Sequence, residues 1–384
     1  MEFITTQWQE KWLKRLAQLG EQFAKRAPKH DQEGTFPFDN FKDLREEGYL
    51  ALTVPKAYGG QEITLHDFIL LQEELGRYDG STALSVGWHL GVLMDLRESK
   101  EWREETYEKL CRAVVTKGSL VNRVSSERAT GSPTRGGKPE TTAERKDGNW
   151  VISGVKAFAS MAPALDYFII TATIQETGEV GTFVIPKDVA GLSIEERWDT
   201  LGMRGTRSDD LHLDHVVVRE DAFVGEVTKP KHPVPKGWLL HIPACYLGIA
   251  RAARDEAVAF AKSYAPNSIE GTIASLPAVR DKIGLMDLEL LKARQFMYGV
   301  IERWEQAPDR RHELTEALAA VKYIATNSAQ KIVDLAMRVE GAHGLFQTSP
   351  LQRYYRDVRA GLHNPPMDDA VIALFAKKAL DEDE

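Results

Sequence analysis

Three short patches carry side chains able to bind or to react. The first is Ser125-Ser126-Glu127-Arg128-Ala129-Thr130-Gly131-Ser132 and the second is Lys156-Ala157-Phe158-Ala159-Ser160. The third is Leu201-Gly202-Met203-Arg204-Gly205-Thr206-Arg207-Ser208. Ser125, Ser126 and Ser132 are short hydroxyls beside exposed backbone on a turn-like loop, and can supply hydrogen-bond donors. Phe158 and Ser160 stand two apart, which on a strand sets a ring face and a hydroxyl on one side. Serines in surface turns and a phenylalanine in the core are the plainer account of the same residues.

Further along, Gly341-Ala342-His343-Gly344 ends a helical stretch and lets backbone approach a ligand closely. Arg338, three residues earlier, has a guanidinium suited to a pyrophosphate. A simple glycine helix cap is the competing account. His363 and His89 are the candidate bases, because a neutral imidazole accepts protons near pH 7. A histidine merely packed at a helix end is the commoner case. Asp368 and Asp369 could serve as bases, but as carboxylates they better suit the N-terminus of a last helix over Ala370–Leu380. The ten histidines show no close ligand spacing, so no metal site is expected.

The elements that must position these patches fall in three blocks. Trp8, Trp12, Leu16 and Leu19 recur at helical spacing, Phe41, Leu44, Tyr49 and Leu50 begin a second stripe, and helix resumes over Leu65–Leu75 and Thr82–Leu96. Strand-like runs follow: Leu120–Ser126, Thr141–Arg145, Trp150–Ile152, Tyr167–Ile174, Gly181–Ile185 and Leu211–Val218. Asp147-Gly148-Asn149 and Pro186–Gly191 supply turns between them. Lys229–Lys236, with three prolines, reads as a linker. Then come a helix over Gly248–Tyr264, one through Ile283–Trp304, and one from Leu314 to Val339 that stops at Gly341. The expected fold is α+β: a helical domain over residues 1–116, an antiparallel β-domain over 117–228 and a four-helix bundle over 229–384.

Composition narrows the function classes. With 384 residues, 43% hydrophobic and 28% charged, the chain is long enough to bury a large core. A net charge of −8 argues against nucleic acid as the main partner. Cys111 and Cys245 lie far apart and fit small buried residues in a reducing, cytoplasmic compartment. Met1–Leu19 is charged throughout, unlike a signal peptide, and no run of about 18 apolar residues spans a membrane.

The order of these patches resembles the acyl-CoA dehydrogenase superfamily of flavoproteins. The turn Tyr58-Gly59-Gly60 before Glu73-Glu74-Leu75 is similar to the N-terminal signature. Glu127–Ser132 is similar to the glutamate-proline-glycine-alanine-glycine-serine loop. Leu201–Ser208 before Val216-Val217-Val218 looks like the late β-domain signature, and Met337–Gly344 with Arg356-Asp357 resembles the C-terminal motifs. The resemblance implies a flavin, FAD or alternatively FMN, between β-domain and bundle, with a second subunit contributing. It assigns flavin contacts to Ser126, Phe158 and Ser160 and places Arg338, where the family has a glutamine, before the pair Gly341-Ala342; with Ser125 and Ser132 as further donors these are the expected cofactor-binding residues. It also implies a homodimer or homotetramer, α,β-dehydrogenation of an acyl-CoA as in fatty acid metabolism, and an electron-transfer flavoprotein or flavin reductase as partner.

Two departures bear on the reaction. The family's arginine-x-x-phenylalanine-glycine run is absent at Tyr264–Gly271. The place of its usual catalytic glutamate falls on Pro365, and Trp238–Tyr246, the family's other base position, holds no carboxylate. Leu362-His363-Asn364-Pro365 is similar to a run in the family's two-component flavin monooxygenases, which oxygenate aromatic or sulfur-containing substrates with reduced flavin. Three readings therefore stand: a dehydrogenase with an atypical base, His363 or His89; a monooxygenase; and a flavin-binding protein that has lost its activity.

Overall fold

The structure is a computed structural model describing residues 3–130, 137–227 and 235–381. Ser132 and most of the proline-rich linker lie outside the described residues. The chain begins with helices α1 (Gln7–Glu33), α2 (Phe38–Glu46), α3 (Leu65–Gly76), α4 (Gly80–Ser99) and α5 (Glu104–Lys117). Thr6 and Gln9 close a reciprocal capping box at the start of α1, which buries Trp12, Leu16 and Phe23 on one face. Asp79 caps α4 by accepting from the Ser81 and Thr82 amides. α4 is buried almost all round, so it reads as a continuous apolar helix and not as a stripe.

Eight strands follow: β1 (Val121–Val124), β2 (Thr142–Lys146), β3 (Asn149–Ala159), β4 (Tyr167–Ile174), β5 (Val180–Pro186), β6 (Leu192–Glu195), β7 (Asp209–Arg219) and β8 (Phe223–Glu226). They form one sheet ordered β6-β7-β3-β2-β4-β5-β8, with β1 beside β4. The sheet is mixed where the sequence suggested an antiparallel one. β1 and β2 both pair with β4 in parallel, and the remaining pairs are antiparallel. Asp147 and Gly148, both at positive φ, make the tight turn between β2 and β3.

The C-terminal block holds α6 (His241–Ser263), α7 (Pro277–Gln306), α8 (Thr315–Glu340), α9 (Pro350–Asp357) and α10 (Asp368–Asp381). Ala250, Ala253, Ala257 and Ala261 of α6 are fully buried, and small side chains there let helices approach closely. Gly248 shows how closely: a Cβ at that position would lie 2.2 Å from the Glu73 carbonyl oxygen of α3. The N-terminal helices and the bundle thus share one core.

Candidate functional site

A cavity of about 540 Å³ lies where the three parts meet. Its walls come from α4, the end of β1, the end of β3, the segment 198–208, the start of α6 and residues 356–367. The size is in the range of small-molecule sites.

β3 runs seven residues beyond the expected Trp150–Ile152 and carries Phe158 to the cavity. Its pairing with β7 slips between Lys156 and Ala159, and Phe158 sits at φ 60°, an unusual conformation for an aromatic residue. The ring is 55% exposed. An apolar ring held outward on a strained backbone fits a ligand contact better than a core position. Trp198 meets it edge-on with centroids 6.3 Å apart, and the Arg128 guanidinium lies 5.8 Å from its centroid.

Ser125, Ser126 and Ser160 line the same cavity. The Ser126 carbonyl accepts from the Ala157 amide at 2.8 Å, joining the first two patches. The Ser160 hydroxyl lies 2.9 Å from that of Ser208, which lies 2.9 Å from that of Thr206. The chain ends where Thr206 donates to the Met203 carbonyl at 2.9 Å. Behind these serines Lys156, fully buried, donates to Glu127 Oε1 at 2.6 Å. Glu127 also accepts from Thr141 and from the Glu140 amide. Burial opposes its ionisation, but Lys156 and these donors prevail and hold the carboxyl at about 2.

His363 also lines the cavity, at the end of the 3-10 segment Val358–His363. Its turn is gripped from two sides. Tyr246 of α6 donates to Asn364 Oδ1 at 2.7 Å, and buried Lys322 of α8 reaches Leu362 O at 3.4 Å and Asp368 at 3.0 Å. Next to it Asp357 accepts from the Met203 amide at 2.6 Å, and burial pushes its carboxyl up to about 7. Arg356 forks onto Asp31 of α1 and donates to Leu201 O at 2.9 Å. These ties fix the segment 201–208 between α1 and α9.

Not every expected residue reaches the cavity. His89 is wholly buried, and both its nitrogens are engaged by backbone, with Leu50 O at 2.9 Å and the Val121 amide at 3.1 Å. Burial lowers it to about 4. It is a tie between the helical domain and β1, and the expectation of a base is corrected. Arg338 pairs with Asp334 on the exposed side of α8, and Gly341 and Ala342 are exposed at its end. None of the three lines the cavity of its own chain. Asp368 and Asp369 open α10 as expected. Sequence reasoning missed Trp198, Tyr246, Asn364 and Arg359. Tyr246 and Asn364 stood in quoted runs without a role of their own, and Trp198 and Arg359 reach the cavity through tertiary contacts that no local pattern announces.

The donor set fits a flavin: an outward aromatic face, three short hydroxyls and cationic guanidinium groups around one cavity. Among the described residues no group of three or more histidine, cysteine, aspartate or glutamate side chains could hold a metal, and no helix is long and apolar enough to cross a membrane.

Comparison with known proteins agrees. Residues 6–113, 123–216 and 240–364 match the N-terminal, middle and C-terminal domains of acyl-CoA dehydrogenase. The chain belongs to the acyl-CoA dehydrogenase family. It is 48% identical to a putative acyl-CoA dehydrogenase, YdbM, of Bacillus subtilis, over 99% of each chain. It is 26% identical to dibenzothiophene monooxygenase of Rhodococcus qingshengii, over 90% of this chain and 88% of that one. Among solved structures, KijD3 in complex with FMN and a dTDP-linked amino sugar superposes with TM-score 0.84 at 25% identity, over 99% and 96% of the two chains.

Proposed function

We propose that this family member is a flavin-dependent oxygenase that draws reduced flavin from a partner reductase. One observation carries the reading. No carboxylate lines the cavity among the described residues, and His363 is the one titratable base that does. Dehydrogenation of an acyl thioester needs a base for the α-proton, and the family's place for it is Pro365.

When bound, reduced flavin supplies two electrons to dioxygen, so that one oxygen atom enters the substrate and the other leaves as water. Phe158 offers the face against which the ring packs, while Ser126 and Ser160 donate to its polar edge. The Ser208–Thr206 chain orients the Ser160 hydroxyl. Trp88, Trp198 and Met203 exclude water. His363 holds or accepts the proton that moves at the substrate heteroatom. FMN is the form that similarity to KijD3, solved with FMN, supports. The similarity to dibenzothiophene monooxygenase and to KijD3 supports an aromatic, sulfur-containing or amino substrate.

Dehydrogenation of an acyl-CoA, with His363 as base, is the second reading, favoured by the 48% identity to the putative acyl-CoA dehydrogenase. Exposed Leu285, Leu288 and Leu291 on α7 and Ile372 and Phe375 on α10 support association of copies through the bundle. One experiment separates the two reactions. Protein, FMN, a flavin reductase and its nicotinamide reductant are incubated with labelled dioxygen and either dibenzothiophene-type substrates or acyl-CoAs. Label in the product supports oxygenation. Anaerobic bleaching of the bound oxidised flavin by an acyl-CoA, with no label incorporated in air, overturns it.

A further inference from the structure

The charges around the cavity do not balance. Arg123, Arg356 and Arg359 line it, and no carboxylate among the described residues does. Arg123 is answered by Asp95 at 3.3 Å and Glu101 at 4.0 Å, although Asp95 is shared with Lys236. Arg356 is answered by Asp31 through a two-pronged pair. Arg359 has no acidic partner among the described residues. Its Nη1 donates to Gln330 Oε1 at 2.6 Å, and its guanidinium lies 4.3 Å from the centroid of the Tyr355 ring. The amide and the ring hold the group in place, while Nε and Nη2 donate no hydrogen bond to the described residues.

A guanidinium that is held in place and keeps spare donors matches the paired oxygens of a carboxylate, sulfonate or phosphate. A cation in an acid-free, partly enclosed cavity also attracts an anion more strongly than one on an open surface. We propose that Arg359 anchors an anionic oxygen group of the ligand that fills this cavity. Arg359 and His363 lie on one 3-10 segment, about 8 Å apart along its axis at ~2 Å per residue. An anion held at Arg359 therefore leaves the rest of its molecule within reach of His363. The anion has two sources, the phosphate of FMN or an acidic group on the substrate. Only the first rests on the flavin reading.

Titration calorimetry on the purified protein, Arg359→Gln and Arg359→Lys tests this with four probes: FMN, riboflavin, benzenesulfonate and neutral benzenesulfonamide. If the phosphate is the anchor point, Arg359→Gln loses roughly 10-fold or more in FMN affinity and keeps riboflavin. If a substrate acid is, the same variant keeps both flavins and loses benzenesulfonate. Arg359→Lys recovers part of the loss, since it restores the charge without the fork. Affinities of Arg359→Gln equal to those of the unaltered protein for all four probes overturn the proposal. Should the unaltered protein take up neither flavin, the flavin reading falls while the sulfonate pair still decides Arg359. Should Arg359→Gln fail to fold by circular dichroism, the unaltered protein decides. A preference for FMN over riboflavin or for sulfonate over sulfonamide then supports the anchor, and no preference overturns it.

Discussion

The Tyr246 hydroxyl donates to Asn364 Oδ1 at 2.7 Å and so ties the first bundle helix to the turn that presents His363. Tyr246 is fully buried, and the Gly361 backbone is packed against it: a Cβ there would lie 3.0 Å from the ring. The ring and its hydroxyl therefore set where His363 stands. Tyr246→Phe keeps the packing and removes one hydrogen bond. A stability loss of about 1 kcal/mol is expected, with a lower turnover and unaltered flavin affinity. Chemical denaturation, flavin titration and steady-state rates check the three parts separately.

His363→Ala tests whether that ring takes part in the reaction. Loss of a positioned proton-transfer group lowers turnover by about 100-fold or more. Flavin affinity and thermal midpoint should stay near those of the unaltered protein, because the ring is exposed and donates no hydrogen bond within the described residues. Unchanged turnover would remove His363 from the reaction.

His89 should behave in the opposite way. His89→Leu leaves the Leu50 carbonyl and the Val121 amide buried and unpaired, at a cost of about 2–3 kcal/mol, while flavin affinity holds. Its acid sensitivity has a definite sign. Burial keeps the folded ring at about 4 against an ordinary 6.5, so the unfolded chain takes up the proton first. This contribution to stability is complete above pH 6.5 and is lost as pH falls towards 4. Denaturation midpoints from pH 7.5 to 4.5 should fall less steeply for the leucine variant.

Glu127 and Lys156 form the second buried device. Lys156→Met strands a carboxylate at 3% exposure and should destabilise by about 3 kcal/mol or more. Pairing it with Glu127→Gln should recover part of the loss, because the amide carries no uncompensated charge. In the unaltered protein the Glu127 carboxyl, held at about 2, stabilises above its ordinary 4.5, and that stabilisation is lost as pH falls from 4.5 to 2. Melting temperatures of the two single variants and the double variant form a cycle that isolates the pair.

The sequence made the three-part architecture legible because hydrophobic period switches from helical to alternating and back at places marked by turns. β4 spans Tyr167–Ile174 as read. β3 was read short because its pairing with β7 already shifts between Ile152 and Gly154, where the alternation a strand should show breaks. β6 and β8, four residues each, carried too little pattern to be seen. At the site, Ser126, Phe158, Ser160 and His363 stood out by type and order. His89 misled because an imidazole engaged by backbone and one facing a ligand look alike in sequence. Arg359 was invisible for another reason: its meaning lies in missing carboxylates, which only the assembled cavity reveals.

Uptake of flavin at Phe158 is the measurement on which the account depends most directly. Purified protein and Phe158→Ala are titrated with FMN and FAD, following the visible spectrum and fluorescence quenching. The account predicts saturable binding with a perturbed spectrum. It also predicts roughly 10-fold or greater loss for Phe158→Ala, with thermal stability little changed because the ring is 55% exposed. Failure of the unaltered protein to bind either nucleotide, or equal binding by the alanine variant, would contradict it.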